Sequence, residues 1–355
     1  MRLSETYTGD VSKTFRMPMP ITIRELAKRA NLSITTVSRA LDGYPDVAEA
    51  TRQRVIRLAD EMGYVPSRAA RQLRRKRADA IGYIMPTSHP RFADPFFSEF
   101  IAGLGDETAS HNLDLLVSLA PPGEPVEREI YHRWVQSGRV DGLVLSRMRL
   151  DDWRAAYLHD LAFPFAAFGG TELPIAFPHI GVDGKGGIQR LVGHLVARGH
   201  RRIAFIAASP TLTLNLRRYS GYQAGLEDAG LSLDAELVVA GDLTLDGGYS
   251  AAQRLLHLGK RPTAIIGAND LSAIGAMRAA HELGFAIPDD LAVAGFDNIA
   301  VAEHALPPLT TLSQPVYEIA RQLVRMLKTV MDGGQLDQMR VTIEPELVVR
   351  ASTGG

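Results

Sequence analysis

The chain has 355 residues, no cysteine and a formal net charge of −1, with 39 Lys and Arg against 40 Asp and Glu. This length supports two or three domains, and the absence of cysteine excludes a disulfide scaffold and fits a reducing compartment. The near-neutral total hides an asymmetry: residues 21–77 hold 13 Lys and Arg against 6 Asp and Glu, whereas residues from 78 onward hold 23 against 32. A basic segment on an acidic body predicts that nucleic acid is met by the basic segment. No stretch has the apolar core of a signal peptide, and no apolar run approaches the ~20 residues of a membrane span. A soluble, cytoplasmic protein without membrane contact is expected.

Residues 1–20 are polar and aperiodic, end in Met-Pro-Met-Pro, and read as a disordered extension. Periodicity begins at Ile21. Thr22-Ile23-Arg24-Glu25 is a capping box, in which the hydroxyl accepts from the third helical N–H and the carboxylate reaches back to the cap. Leu26 and Ala30 give the helix one apolar face. Asn31-Leu32 makes a tight turn, and Ser33 is placed to cap a second helix over Ile34–Leu41. Val37, Ala40 and Leu41 point inward in that helix, leaving Ile34, Thr35, Ser38 and Arg39 outward. After Asp42-Gly43 and Pro45, Asp46-Val47-Ala48-Glu49 offers a second capping box. The third helix has Val55, Leu58, Ala59 and Met62 as its inner stripe and stops at Gly63. Two helices joined by a short turn, with small polar groups and an Arg outside, make the helix-turn-helix geometry.

Ser67 to Arg77 forms a basic connector. Ala69, Ala70 and Leu73 share one helical face, surrounded by Arg68, Arg71, Arg74, Arg75, Lys76 and Arg77. So short and self-repelling a helix is unfolded alone and would fold where phosphates neutralise it; a solvated basic linker is the alternative. From Ala80 the pattern changes. AIGYIMP, DLLVSLA, GLVLS and FAAFG read as strands, with helical segments near Phe96–His111, Glu124–Ser137 and Leu150–Asp160 between them. HIGVD, RIAFIAA, ELVVAGD, AIIGAN and LAVAGFD continue the series, and TIEPELVVRAST reads as a last strand. Apolar strands alternating with helices predict parallel sheets covered on both faces. Two such halves predict two doubly wound lobes with a ligand cleft outside the carboxyl ends of their strands.

TIRELAKRANLSITTVSRAL, VAEATRQRV and MGYVPSRAARQL, at 22–41, 47–55 and 62–73, resemble the head of the lac repressor (LacI/GalR) family of bacterial transcription regulators. Ala48 stands where the family commonly caps its third helix with Ser, a loss of about 1 kcal/mol unless Asp46 substitutes. Ser67 stands where Asn is common. The resemblance implies an all-α helix-turn-helix head over 21–66, a hinge helix over 67–78 and a core over 79–355. That core would be periplasmic-binding-protein-like: α/β, with lobe one about 79–182 and 314–340 and lobe two about 183–313 and 341–355. FPFAAFG, the Asp183 region and LTTLSQP are the expected crossovers. Family members that form tetramers carry a leucine-heptad helix after the last strand. None follows here, so a homodimer on a pseudo-palindromic operator in double-stranded DNA is expected.

The same resemblance assigns base reading to Ile34, Thr35 and Arg39. Arg39 suits guanine O6 and N7, and the methyl groups of Ile34 and Thr35 suit thymine. Thr22, Ser33, Thr36 and Ser38 suit phosphate oxygens, although Ser33 and Thr36 equally suit capping alone. Leu73, with Ala70 beside it, would wedge into the minor groove at the operator centre.

For the cleft, Asp94-Pro95-Phe96-Phe97 matches the family's NPFF segment with Asp for Asn, and Phe96 and Phe97 suit stacking on a sugar face or a flat base, or core packing. Arg217-Arg218-Tyr219-Ser220-Gly221-Tyr222 fits the R-x-x-G-aromatic signature, with Arg218 as the ligand-gripping fork. Asn269, Asp270 and Asp297 end apolar strands, where a polar group needs a partner; Asp297 suits ligand hydroxyls, and Asp270 equally suits capping. Gln314 sits at a recrossing. Asp183 is a further candidate, although GVDGKGG lacks the G-x-G-x-x-G of a dinucleotide site. No enzyme motif, metal-ligand cluster or cofactor site is found among the ten scattered His and the remaining polar residues. A small sugar is the expected effector, with a lean toward α-glucosides and toward repression of carbohydrate uptake and utilisation. A nucleobase, nucleoside or corepressor effector, or a sugar-binding protein of transport, is the alternative.

Overall fold

The structure, a computed structural model, describes residues 21–64, 77–87, 94–123, 125–336 and 338–355. It separates into a head, within residues 1–76, and a core from Arg77. Ala70 and Leu73, with the rest of the connector before Arg77 and the first twenty residues, lie outside the described residues.

Among its described residues the head has three helices: α1 (Ile23–Ala30), α2 (Ile34–Leu41) and α3 (Glu49–Met62). Thr22 and Glu25 form the expected capping box, Thr22 N donating to Glu25 Oε2 at 2.7 Å. Ser33 Oγ accepts from Thr36 N at 3.0 Å and starts α2. Leu26, Val37 and Val55, one from each helix, are fully buried and pin the three together. The second capping box is not formed. Ala48 is the cap residue of α3 and offers no side-chain bond, while Asp46 turns instead to Arg39. Two residues before the cap, Asp46 pairs with a cation and makes no bond to a helical N–H.

The core has two six-stranded sheets. The first contains β1 (Ala80–Pro86), β2 (Asp114–Ala120), β3 (Gly142–Leu145), β4 (Phe165–Phe168), β5 (His179–Val182) and β11 (Arg340–Ile343), in the order β11-β5-β4-β3-β1-β2. The second contains β6 (Ile203–Ala207), β7 (Val238–Ala240), β8 (Ala264–Gly267), β9 (Ala292–Asp297), β10 (Thr310–Ser313) and β12 (Glu346–Val348), in the order β12-β10-β9-β8-β6-β7. All neighbours are parallel except β12, which runs antiparallel to β10. The central strands β1, β3, β8 and β9 are buried along their whole lengths, which explains their unbroken apolar sequence.

Helices cover both faces of each sheet. In the first lobe these are α4 (Pro95–Ser110), α5 (Pro125–Gln136), α6 (Trp153–Asp160) and α12 (Val316–Met331). In the second they are α7 (Gly184–Ala197), α8 (Thr213–Asp228), α9 (Leu245–Leu256), α10 (Asp270–Glu282) and the short α11 (Ala300–Glu303). Gly221 in α8 permits close contact with α7: a Cβ there would lie 2.3 Å from Lys185 O. Among the described residues, no helix is long and apolar enough to cross a membrane.

Two expectations change. FPFAAFG is not a crossover; it carries β4, inside the first sheet. TIEPELVVRAST is not one strand. RVTI stays with β5 in the first sheet and ELV joins β10 in the second. Pro345 lies between them, so the chain recrosses after Ile343 and not at 340/341. The other crossings follow β5, at Asp183, and β10, at Gln314.

Candidate ligand cleft and nucleic-acid interface

On the head, Thr22, Ser33, Ile34, Thr35 and Arg39 are exposed, with Ile34 at 44% a large apolar side chain left in water. Thr36 is half-buried and shares a 2.8 Å hydrogen bond with Ser33 Oγ. Ser38 departs from expectation. It is buried, and its hydroxyl donates to Asp42 at 3.4 Å inside the turn, so it does not face outward with Arg39.

In the core, a cavity of about 450 Å³ opens between the lobes. It lies against the carboxyl ends of the central strands, where a doubly wound sheet changes winding direction. Phe96, Asp183, Arg218, Asp297 and Gln314 all line it. Asp297 ends β9 with φ 113°, a left-handed conformation that costs a non-glycine residue of order 1–3 kcal/mol. That strain turns its carboxylate to the cleft floor, where it accepts from Gln314 Nε2 at 2.7 Å and Arg218 Nη2 at 3.3 Å. The Arg218 guanidinium stacks on Phe296, 3.6 Å from the ring centroid, and also donates to Ala268 O. Burial pushes the Asp297 carboxyl up to about 6, with Asp94 adding to the rise and Arg218 and Arg147 opposing it. Gln314 Oε1 is buried and has no partner among the described residues. An amide oxygen in that state costs about 1–3 kcal/mol until a donor reaches it.

Opposite this floor, Phe96 stacks between Phe100 and Phe168, each 5.8 Å away at 13°. Asp183 caps α7, accepting from Gly186 N at 2.9 Å, and still borders the cavity. Two expected residues are elsewhere. Phe97 packs edge-on to Phe96 at 5.3 Å and is not part of the lining. Asn269 is buried as the cap of α10: its oxygen accepts from Ser272 N and Oγ, and its amide donates to Leu243 O. Its oxygen is fully used by Ser272 and its amide is turned to Leu243, so the side chain does not line the cavity. Asp270 is likewise internal, accepting from Ile299 N at 2.9 Å and from Thr311 Oγ1.

The largest omission from the sequence reading is Arg147. It lies two residues past the end of β3, whereas Asp297 is the last residue of β9, so a search for polar residues at and just beyond strand ends finds it. Its backbone is left-handed at φ 50°. Its guanidinium pairs with Asp94 at 2.8 Å and lies 5.7 Å from the Phe96 ring centroid and 5.2 Å from that of Phe97. The loop that carries it rests on a buried charge quartet. Arg154 donates to both Asp152 oxygens, at 2.9 and 2.7 Å, and to the carbonyls of Ser146 and Arg147. Arg149 pairs with Glu127 at 2.8 Å.

The same loop joins the lobes. Thr213 N donates to Met148 O and Leu150 N to Thr211 O, both at 2.9 Å, forming an antiparallel bridge at Arg149 and Leu212. Thr213 Oγ1 reaches Gly170 O at 2.9 Å, and Arg217 meets Glu172 at 2.7 Å. Sequence periodicity carries no sign of this bridge, because it lies outside both sheets.

Residues 22–67 match the model for bacterial regulatory proteins of the lacI family, and residues 192–353 that for a periplasmic binding protein-like domain. The chain is 35% identical to the HTH-type transcriptional regulator AglR of Rhizobium meliloti, over 95% of each chain. It is 32% identical to CelR of Thermobifida fusca, over 93% of this chain and 98% of the relative, and 32% identical to the repressor CytR of Escherichia coli, over 94% and 96%. Among solved structures, the lac repressor dimer bound to operator and the anti-inducer ONPF superimposes with a TM-score of 0.82 at 28% identity, covering 94% of this chain and 99% of that one. A CelR–cellobiose complex does so at 0.72 and 31%, again over 94% and 99%. The chain belongs to the LacI family of DNA-binding bacterial transcription regulators.

Proposed function

We propose that this protein is a homodimeric repressor of carbohydrate uptake and utilisation genes, released from or held on its operator by a small sugar bound between the lobes. The observation that carries the sugar assignment is the buried Gln314 Oε1, without a partner among the described residues, beside Asp297 and Arg218 on the cleft floor. Vicinal hydroxyls supply what this floor lacks: one donates to Gln314, one donates to Asp297, and Arg218 donates in return. The Phe96–Phe168 stack offers an apolar face to the sugar ring, and about 450 Å³ suits a disaccharide, an α-glucoside included, better than a single hexose. The cellobiose bound by the similar CelR supports the class. A nucleoside is the second reading, favoured by the same aromatic stack.

On DNA, Ile34, Thr35 and Arg39 read bases, and Thr22, Ser33 and Thr36 meet phosphates. Ala70 and Leu73 of the basic connector reach the minor groove. The second copy would cover part of the apolar edge at β2, where Val117 and Leu119 are 41% and 43% exposed. Ligand biases the lobe arrangement by its differential affinity for two states and so changes whether both connectors fold together. Calorimetry against mono-, disaccharides and nucleosides, followed by operator release, tests the assignment. A disaccharide should bind the native protein and lose at least about thirtyfold on Arg218→Met. Saturable binding of a nucleoside and of no sugar would overturn the sugar reading.

A further inference from the structure

Arg39 is held from one side by an acid of its own head. Nη2 lies 2.5 Å from Asp46 Oδ2, Nε lies 3.3 Å from Oδ1, and Cζ is 5.0 Å from the Tyr44 ring centroid. Both partners come from the turn between α2 and α3, and that turn is itself fixed. Tyr44 N donates to Arg39 O at 3.1 Å, Val47 is buried, and Arg52 of α3 donates to Tyr44 O at 2.8 Å while pairing with Glu49 at 2.7 Å. Asp46 therefore occupies the Nε–Nη2 side of a guanidinium whose rotamers would otherwise be free. Among the described residues nothing bonds Nη1, and the Nη1–Nη2 end of the fork presents the two parallel donors that guanine O6 and N7 accept.

We propose that Asp46 is a specificity-determining positioning residue: it aims the fork of Arg39 at guanine and sets how strictly that base is read. The inference rests on the assignment of Arg39 as a base reader. It carries two consequences of opposite sign. Holding the fork in one orientation sharpens the choice of guanine over other bases, since a tilted or mobile Arg also contacts phosphates and other acceptors. A carboxylate on the DNA-facing side meanwhile repels the backbone and lowers affinity for duplex of any sequence. A residue with a merely structural role would produce neither effect.

The test is selection by the full-length protein from a duplex library with randomised positions, followed by affinity measurements on selected and random-sequence duplexes, for native protein, Arg39→Ala, Asp46→Ala and Asp46→Asn. Arg39→Ala should erase a guanine preference at one position of each half-site. Asp46→Ala should keep the rest of the motif, lower the preference for guanine over adenine at that same position by about fivefold, and raise affinity for random duplex by about twofold. Asp46→Asn, which keeps an acceptor without the charge, should retain part of the guanine preference while showing the same gain on random duplex. If Asp46→Ala shifts all duplexes by one factor and leaves the guanine preference whole, while Arg39→Ala still removes it, the positioning role is overturned and base reading stands. If Arg39→Ala leaves every preference in place, base reading falls, and the positioning role with it.

Discussion

Arg39–Asp46 in the head and Arg154–Asp152 in the core are the same chemical pair in opposite surroundings. The first has side chains 45% and 51% exposed; the second, 1% and 0%. Both are bidentate, and both put Nη2 within 2.7 Å of a carboxylate oxygen. Water screens the head pair, so its energy is small and its value lies in direction. The core pair has no water to fall back on, so either partner alone would be an uncompensated charge. Arg218–Asp297, at 8% and 6%, lies between them: it is buried, yet it borders a cavity where a ligand can replace solvent. Exposure, not distance, is what separates the pair locked in the core, the pair that borders the cleft and the pair left in water on the head.

The largest effect expected from this contrast is on the quartet. Arg154→Met should destabilise the core by about 3–5 kcal/mol, because Asp152 and Glu127 lose the guanidinium that lies between them. Chemical denaturation followed by tryptophan fluorescence would record it, Trp153 being next to the site. A loss below about 1 kcal/mol would mean that water reaches the quartet and that burial is not what separates it from the head pair.

Next in size is the pH dependence of the cleft. Asp297 is raised from an ordinary carboxyl value to about 6 in the folded protein. The folded state thus keeps a proton that the unfolded chain has lost, and this group's contribution to stability rises as pH falls through about 6. Ligand binding runs the other way. Sugar hydroxyls donate to the ionised form, so affinity should fall by up to about tenfold per pH unit below that value. Titrations at pH 7.5, 6 and 5 check it, and Asp297→Asn should bind weakly with no such slope. An unchanged affinity at pH 5 would show that the carboxyl group accepts nothing from the ligand.

The unequal legibility of the two sites has the same physical root. The head was read from local rules: Thr22 and Ser33 cap where their spacing puts them, because caps and turns are decided within four residues. Asp46 was misplaced because a nonlocal partner, Arg39, outcompeted the helix. In the core, strand positions follow from apolar runs; Asp297, read from its strand end, and Gln314, read from its recrossing, both line the cavity. At Asn269 a strand end coincides with a helix cap: the cap takes the side-chain oxygen, the amide turns to Leu243, and the residue stands off the cavity. The 148–150 bridge was invisible, since a backbone hydrogen bond between lobes leaves no residue-type signature. Pro345 was the visible mark of the recrossing, but within TIEPELVV the apolar character on both sides concealed it.

That bridge supplies a smaller, sharper test. Thr213 is the first residue of α8, and Leu212 before it is extended at ψ 132°, so proline fits there without breaking the helix. Thr213→Pro removes the N–H that reaches Met148 O, while Thr213→Ala removes only the hydroxyl. About 1 kcal/mol for the lost bond should move the ratio of joined to separated lobes roughly fivefold. Because the chain has no cysteine, spin labels on Glu129→Cys and Arg254→Cys, one in each lobe, can measure the lobe distance directly. A longer-distance population should grow in the proline variant and exceed that of the alanine variant. Identical distributions in the two would show that the buried loop, and not the bridge, holds the lobes together.

The smallest effects return to the head, where two substitutions two residues apart should separate capping from pairing. Ala48 has cap geometry without a cap, so Ala48→Ser should add a bond from the N–H of Thr51 and stabilise α3 by about 1 kcal/mol. Asp46→Ala removes only a screened pair and should change stability by less than about 0.5 kcal/mol. Amide exchange along α3 in the full-length protein resolves both. Slower exchange in the serine variant with no change in the alanine variant places Asp46 outside the capping of this helix, free to act on Arg39 alone. A loss of 1 kcal/mol or more on Asp46→Ala would mean that the carboxylate visits the N–H groups of α3 and that the head pair is a competition, with less of Asp46 available to aim the guanidinium.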